Sequence, residues 1–314
     1  MAGILDTVDQ RTQLVGENRL ELLLFKLVGP QVFAINVFKV QEVLKLPNLT
    51  LMPHRNPVVA GVTHIRGNTI PVINLSMAIK QPPIEANESS TIIVTEYNQN
   101  VQAFLVGAVD RIVNMNWEDI QPPPKGAGRT HYLTAITNYN KQLVEIIDVE
   151  KVLAEIVHFT TDISEGTVDQ SVIDRVSGKK VMIVDDSPVA IAQAKATLGK
   201  LGLDVITASN GLEAYNLLKD WAERSVNIYD ELLMLITDAE MPEMDGYRLT
   251  TELRNHPKLK ALYIMLHTSL SGNFNKAMVK KVGCDDFLSK FQPDELAIKV
   301  QSYIETLTQE NRSA

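Results

Sequence analysis

Apolar residues in the first half of the chain recur in short dense runs rather than at helical spacing. Leu22–Leu27, Val32–Ile35, Thr69–Ile73, Ile92–Thr95, Ala103–Ala108 and Leu143–Ile147 are rich in Val, Ile, Leu and Phe. Turn-forming residues divide them, at Gly29-Pro30, Gly67-Asn68, Asn98-Gln99-Asn100 and from Pro122 to Gly128. Many short strands with frequent turn signals predict an all-β barrel or sandwich over residues 20–159. Helical interruptions are expected around Val37–Val43 and Asp148–Val157. Ahead of the strands, Ile4, Leu5, Val8 and Val15 fall near helical spacing, which predicts an amphipathic helix over residues 1–19.

The texture changes after residue 160. Residues 160–178 are rich in Ser, Thr and Asp and show no apolar period, so they read as a domain boundary. Beyond it, apolar strands at about 181–184, 203–207, 232–237, 262–268 and 285–288 alternate with helices near 189–201, 211–223, 246–255, 273–282 and 294–307. This alternation predicts an α/β domain over residues 179–308: a doubly wound, five-stranded parallel sheet covered on both faces, followed by a tail, 309–314. In such sheets ligands sit beyond the carboxyl ends of the strands, at the topological switch point.

Charge refines this division. The net charge of −8 is spread over both halves, and neither has the basic excess of a nucleic-acid footprint. Residues 161–178 carry four acidic side chains and one basic, which suits a solvated acidic linker. No apolar run reaches the ~18–20 residues of a membrane span, and no secretion signal is expected at the N-terminus. The single cysteine, Cys284, excludes an internal disulfide framework, fits a reducing cytoplasm and reads as a small packed residue. His54, His64 and His131 lack metal-ligand spacing and read as surface or loop residues, and His267 as a strand-end residue.

The strand ends of the second half carry the chemistry. The first ends in Asp185-Asp186, the third in Asp238 and the fourth in Thr268-Ser269, and Lys290 closely follows the fifth. Clustered carboxylates repel unless a cation compensates, and a hard divalent ion such as Mg2+ takes oxygen ligands of this kind. The grouping points to phosphoryl transfer onto a carboxylate, with Asp238 as nucleophile and Lys290 and Thr268 contacting phosphoryl oxygens.

Val184-Asp185-Asp186-Ser187, Asp238-Ala-Glu-Met-Pro-Glu-Met-Asp-Gly246, Thr268-Ser269 and Asp286-Phe-Leu-Ser-Lys290 together resemble the receiver domain of response regulators. The resemblance implies that Asp185, Asp186 and Asp238 hold Mg2+ with the backbone carbonyl of Glu240. It also implies that Asp238 accepts the phosphoryl group, with Thr268 as switch hydroxyl and Phe287 as switch aromatic. Three departures stand out: Phe291 follows Lys290 where receivers usually have proline, Ser269 replaces a more usual alanine, and Glu240 adds a carboxylate beside Asp238. That extra charge is expected to disfavour approach of water and lengthen the life of the phosphoryl group.

The first half holds no catalytic constellation, as expected of a protein-binding domain. Phe25-Lys-Leu, Phe33-Ala-Ile, Val40-Gln-Glu42-Val43, Gly61-Val-Thr-His-Ile-Arg66-Gly67, Ile70-Pro-Val-Ile-Asn-Leu75 and Ile146-Ile-Asp148-Val-Glu-Lys-Val152 resemble the CheW family of chemotaxis coupling proteins. That resemblance implies two intertwined five-stranded, SH3-like barrels that bind chemoreceptors and a CheA-type histidine kinase. Val40, Glu42, Gly61 and Arg66 are the implied interaction residues. Arg66 admits a second role, pinning its own loop, and Gly61 and Gly67 suit backbone turns.

Both halves with the N-terminal lead resemble CheV-type chemotaxis proteins. The resemblance implies a cytoplasmic adaptor at receptor arrays, not an enzyme beyond its own phosphoryl chemistry, with no nucleic-acid partner and no membrane insertion. A monomer is expected in isolation. The alternative is a phosphate sink, in which the receiver competes with other response regulators for phosphoryl groups.

Overall fold

The computed structural model describes residues 19–313, apart from 88–89, 98–99, 123–131, 157–161, 177, 225–226, 269–281 and 290–291. The expected helix over residues 1–19 falls outside the described residues, except that Arg19 begins the first strand; the expected helix near 273–282 also lies almost wholly outside them. The chain divides into two compact units, one built on residues 19–156 and the other on 162–313.

Among the described residues the first unit contains ten strands: β1 (Arg19–Lys26), β2 (Val32–Asn36), β3 (Val40–Lys45), β4 (Val59–Ile65), β5 (Asn68–Asn74), β6 (Thr91–Tyr97), β7 (Asn100–Val106), β8 (Ala108–Asn116), β9 (Leu133–Tyr139) and β10 (Gln142–Ile147). Helix α1 (Leu75–Ala78) follows β5 and α2 (Val149–Ile156) follows β10. The strands form two five-stranded sheets, ordered β8-β1-β2-β10-β9 and β3-β6-β7-β5-β4. The helix expected over Val37–Val43 is instead one 3-10 turn, Val37–Lys39, running into β3. From Val40 to Lys45 half-buried and exposed residues alternate, and that period of two is a strand's.

The two sheets are copies of one design. Residues 40–74 supply β3, β4 and β5, and residues 108–147 supply β8, β9 and β10 in the same places. Each sheet curls until the chain after its edge strand meets the opposite edge. Thr50 exchanges both backbone hydrogen bonds with Val62 (2.8 and 2.9 Å), and Gln121 does so with Ile136 (2.8 and 2.8 Å). A buried threonine locks each closure: Thr63 Oγ1 donates to the Asn48 carbonyl and Thr137 Oγ1 to the Asp119 carbonyl. Apolar residues fill each interior, Leu22, Leu24, Ala34 and Val144 in one and Val72, Ile92, Ala103 and Leu105 in the other.

The second unit has the five-stranded parallel sheet expected for it. Its strands are β11 (Lys180–Val184), β12 (Asp204–Ala208), β13 (Leu232–Thr237), β14 (Ile264–Thr268) and β15 (Asp286–Ser289), ordered β12-β11-β13-β14-β15. The order reverses between β11 and β13, which creates the switch point. Helices α4 (Pro188–Lys200), α5 (Gly211–Arg224), α6 (Gly246–Asn255) and α7 (Pro293–Ser313) cover it. β13 is buried at all six positions, as a central parallel strand requires.

Residues 160–178 depart from the expected solvated linker. From Asp162 the chain packs on the second unit, and helix α3 (Gln170–Ile173) leads into a 3-10 turn, Asp174–Val176. Val172, Ile173 and Val176 are buried against α4, α7 and the sheet, with Ile163 and Val168 beside them. Removing each buried side chain from water contributes about 1.5–3 kcal/mol, while the acidic neighbours stay at the surface and keep their solvation.

Asp148 gives the first unit a pH dependence. Its carboxylate accepts the Lys151 N–H at the start of α2 (2.9 Å), yet burial and the neighbouring Glu150 push its pKa up. The folded chain therefore holds this proton more tightly than the unfolded chain. Its stabilising effect is full at low pH and is lost as pH rises through the elevated value. Asp148→Asn keeps an acceptor oxygen and removes the charge. Thermal denaturation should show it melting ~2–4 °C above the parent at pH 7, a gap that narrows as the pH falls toward ~4. A midpoint equal to or below the parent's at pH 7 would refute this account.

Candidate functional site

The sheet topology brings the acidic residues together. β11 ends at Val184 and β13 at Thr237, so Asp185 and Asp238 leave neighbouring parallel strands at the same end. The Asp238 N–H donates to the Val184 carbonyl (2.8 Å), carrying the strand pairing one residue past β13. One carboxylate oxygen from each of Asp185, Asp186 and Asp238 lies within 4.8 Å of the others. Asp185 is 1% exposed and Asp238 5% exposed, so this negative charge sits largely out of water.

Local backbone bonds hold these groups. Asp185 accepts the Ser187 N–H (2.9 Å), and Ser187 Oγ in turn accepts the Ala190 N–H as the N-cap of α4. Asp238 accepts the Ala239 N–H (2.7 Å) on one carboxylate oxygen. The loop from Ala239 to Asp245 returns tightly to α6, with the Gly246 N–H bonded to the Ala239 carbonyl (3.1 Å). A Cβ on Gly246 would stand 2.0 Å from the Asp238 carbonyl oxygen, so only glycine fits. Gly211, the first residue of α5, is confined in the same way by the Met244 carbonyl (2.4 Å).

An all-oxygen, carboxylate-rich donor set of this kind fits a hard divalent cation such as Mg2+. The crowding itself favours one, because burial and mutual repulsion penalise three bare carboxylates. Glu240 is half-buried in the loop beyond Asp238, and its carboxylate is not part of the three-carboxylate group. Thr268 is buried at the end of β14 and paired in register with Ser289, beside buried His267. Phe287, half-buried on β15, packs against the core that lies under α5 and α6. Lys290, Ser269 and Phe291 lie outside the described residues.

Two features here were not anticipated. Tyr247 follows Gly246, and its buried hydroxyl has no hydrogen-bond partner among the described residues. Burial, reinforced by Glu240, Asp245 and Asp238, pushes its pKa up, so it stays a neutral phenol beside the acidic cluster. The sequence marks Tyr247 only as an apolar helix position. Arg254 is the second. It donates to the carbonyls of Gly283, Lys260 and Leu262 and to Asp285, binding α6 to the segments that lead into β14 and β15.

The four residues expected at a protein interface separate by role. Arg66 bonds Glu42 (2.8 Å), with its guanidinium mostly in solvent. Arg66 and Gly67 form the two-residue β4–β5 turn with φ of 50° and 88°, a left-handed pair that favours glycine at the second place. Gly61 lies beneath the closing strand, where a Cβ would meet the Thr50 carbonyl oxygen at 2.9 Å. Val40 is half-buried and pairs with Thr95. Glu42 and Arg66 are thus joined, whereas Gly61 serves barrel closure.

Comparison with known proteins agrees with both halves. The CheW-like domain family matches residues 21–157, and the response regulator receiver domain family matches residues 181–301. The chain is 28% identical to the chemotaxis protein CheV1 of Helicobacter pylori over 97% of this chain and 99% of that one. The chain belongs to the CheV-type chemotaxis proteins. It is also 27% identical to CheV3 of the same organism, over 92% of this chain and 96% of the relative. Protein PilG of Pseudomonas aeruginosa is 33% identical over 42% of this chain and 91% of its own length. Among solved structures, the receiver domain of sensor histidine kinase PA1611 from Pseudomonas aeruginosa, described with a magnesium ion coordinated in its active site cleft, is 26% identical. That match covers 41% of this chain and 98% of that one, with a TM-score of 0.35. Among the described residues of the CheV-type chain, no helix is long and apolar enough to cross a membrane.

The tight approach at Gly246 yields a test of the receiver site. Gly246→Ala should displace the Asp238 backbone and lower stability by about 1–3 kcal/mol, the usual cost of overpacking. It should also weaken Mg2+ binding at least ~10-fold, an order-of-magnitude cost of disturbing a metal ligand's support. Urea denaturation and Mg2+ titration measure the two effects; parent-like values in both would show that the contact does not set the site.

Proposed function

We propose that this CheV-type protein couples chemoreceptors to a CheA-type histidine kinase, and that phosphorylation of Asp238 adjusts the coupling. The observation that carries the proposal is the convergence of Asp185, Asp186 and Asp238 within 4.8 Å at the switch point of the parallel sheet. In this reading a carboxylate oxygen of Asp238 attacks the phosphorus of a phosphohistidine. A P–O bond forms, the P–N bond breaks, and the imidazole leaves with its electron pair and takes up a proton. Asp185, Asp186, Asp238 and the Glu240 carbonyl would hold Mg2+, which when bound supplies positive charge against the phosphoryl oxygens. Thr268 and Lys290 are assigned to those oxygens, and Phe287 to the accompanying rearrangement. The protein's own chemistry ends there, since the first domain offers only interaction surfaces, with Val40, Glu42, Gly61 and Arg66 assigned to its partners.

The Glu42–Arg66 pair supports an exposed docking edge. Arg66 is 79% exposed at a hairpin tip and can exchange Glu42 for a partner carboxylate at small cost, because exposed ion pairs contribute only about 0–1 kcal/mol.

Mixing the protein with phosphorylated CheA-type kinase should move phosphate onto it only when Mg2+ is present, and Asp238→Ala should accept none. In reconstituted receptor–kinase assemblies, the same substitution should leave the adaptor insensitive to phosphoryl donors. Transfer with full adaptor activity unaffected by Asp238→Ala would instead identify a phosphate sink. Glu240→Asn should shorten the phosphoryl lifetime several-fold, as expected when one repelling charge is removed from the path of the attacking water. An unchanged hydrolysis rate would remove that role for Glu240.

A further inference from the structure

Residues 162–176 join the two domains in sequence, yet they form a built contact with one of them. Their apolar side chains Val172, Ile173 and Val176 enter the core between α4 and α7. Polar bonds fasten the same segment to both helices. Asp162 pairs with Lys200 at the C-terminal end of α4. Asp294, in the first turn of α7, accepts both the N–H and the hydroxyl of Ser164 (2.7 and 2.7 Å). Further along α7, Gln301 accepts the Asp169 N–H (2.7 Å). The Ser164 bonds hold the Asp294 carboxyl below its ordinary range, as expected of an acceptor in steady use.

Both helices begin at the carboxyl edge of the parallel sheet, the edge that carries the acidic site. Ser187, the N-cap of α4, donates its N–H to Asp185 (2.9 Å). α7 starts at Pro293, three residues after Lys290 in the chain. A rearrangement at the carboxylates therefore bears directly on the root of α4 and on the sheet edge from which α7 starts, and the segment 162–176 is tied to both helices.

We propose that residues 162–176 are a clasp of the receiver domain, spanning α4 and α7, and that the state of Asp238 sets how firmly the clasp is held. The groove between these helices is thereby an interface occupied by the chain's own segment and closed to other partners. The docked clasp stands on its contacts alone; its response to Asp238 rests on the phosphorylation reading above.

Amide hydrogen exchange of the full chain tests both parts, with Mg2+ and beryllofluoride standing in for the phosphoryl group. Amides of residues 163–176 should exchange at least ~10-fold slower than in a free peptide, since docked segments open only against their contacts. Addition of Mg2+ and beryllofluoride should change that rate by roughly tenfold while protecting residues 185–187 and 238–240. Asp238→Ala should keep the resting protection and lose the change. Ser164→Ala, an exposed substitution outside the three-carboxylate group, should loosen residues 163–169 specifically. Exchange of the segment at free-peptide rates would overturn the clasp. A response at 238–240 with no response in the segment would overturn the coupling. Absence of any response at 185–187 and 238–240 would refute the phosphorylation reading, and the coupling with it, while resting protection would still establish the docked clasp.

Discussion

Like charges resist being gathered, and the receiver domain gathers three of them. Asp185, Asp186 and Asp238 converge where water is scarce, so the backbone around them must hold against their repulsion. Much of the domain's local geometry follows from that demand. Strand pairing extends past β13 to fix Asp238, a serine cap fixes Asp185, and a glycine lets α6 press against the Asp238 carbonyl. An arrangement held under electrostatic tension is poised to respond when charge is added or neutralised, which is the property a phosphorylation switch requires.

The first domain draws its order from repetition. Two barrels close by the same backbone exchange, are locked by equivalent threonines, and end in helices that begin at equivalent residues, Asn74 and Asp148. Specialisation is confined to what decorates this frame. One hairpin tip carries the Arg66–Glu42 pair, and the corresponding tip carries Asn140 and Lys141. A rigid frame with variable tips suits a protein whose work is to present surfaces.

Most of the receiver was legible in the sequence because its strands are continuous apolar runs and its site residues sit at their ends. β13 and α6 fall where the apolar pattern places them. The barrels were less legible. β3 alternates over six residues, a pattern short enough to pass for helix, and β8 is an edge strand with mostly exposed positions. The repeat between residues 59–74 and 133–148 is one of burial more than identity: β4 and β9 share the same burial sequence though few residues match. The clasp was hidden because its five apolar residues are diluted among acids, and what makes them core is a groove supplied by helices far along the chain. Tyr247 was missed for a related reason, since nothing in sequence marks a buried hydroxyl with no partner among the described residues.

The strand order of the barrels also bears on how the chain comes into being. β3 to β7 are contiguous and complete one sheet among themselves, whereas β1 and β2 belong with β8, β9 and β10. During synthesis the inner barrel can close as soon as β7 has emerged. The opening hairpin must wait, its edges unsatisfied, until β10 ends at Ile147, about forty residues after β7 ends at Val106. Completion of the outer barrel then joins the first and last parts of the domain across the inner one. A coupling protein built this way can finish folding only once the last strand of its domain has been synthesised.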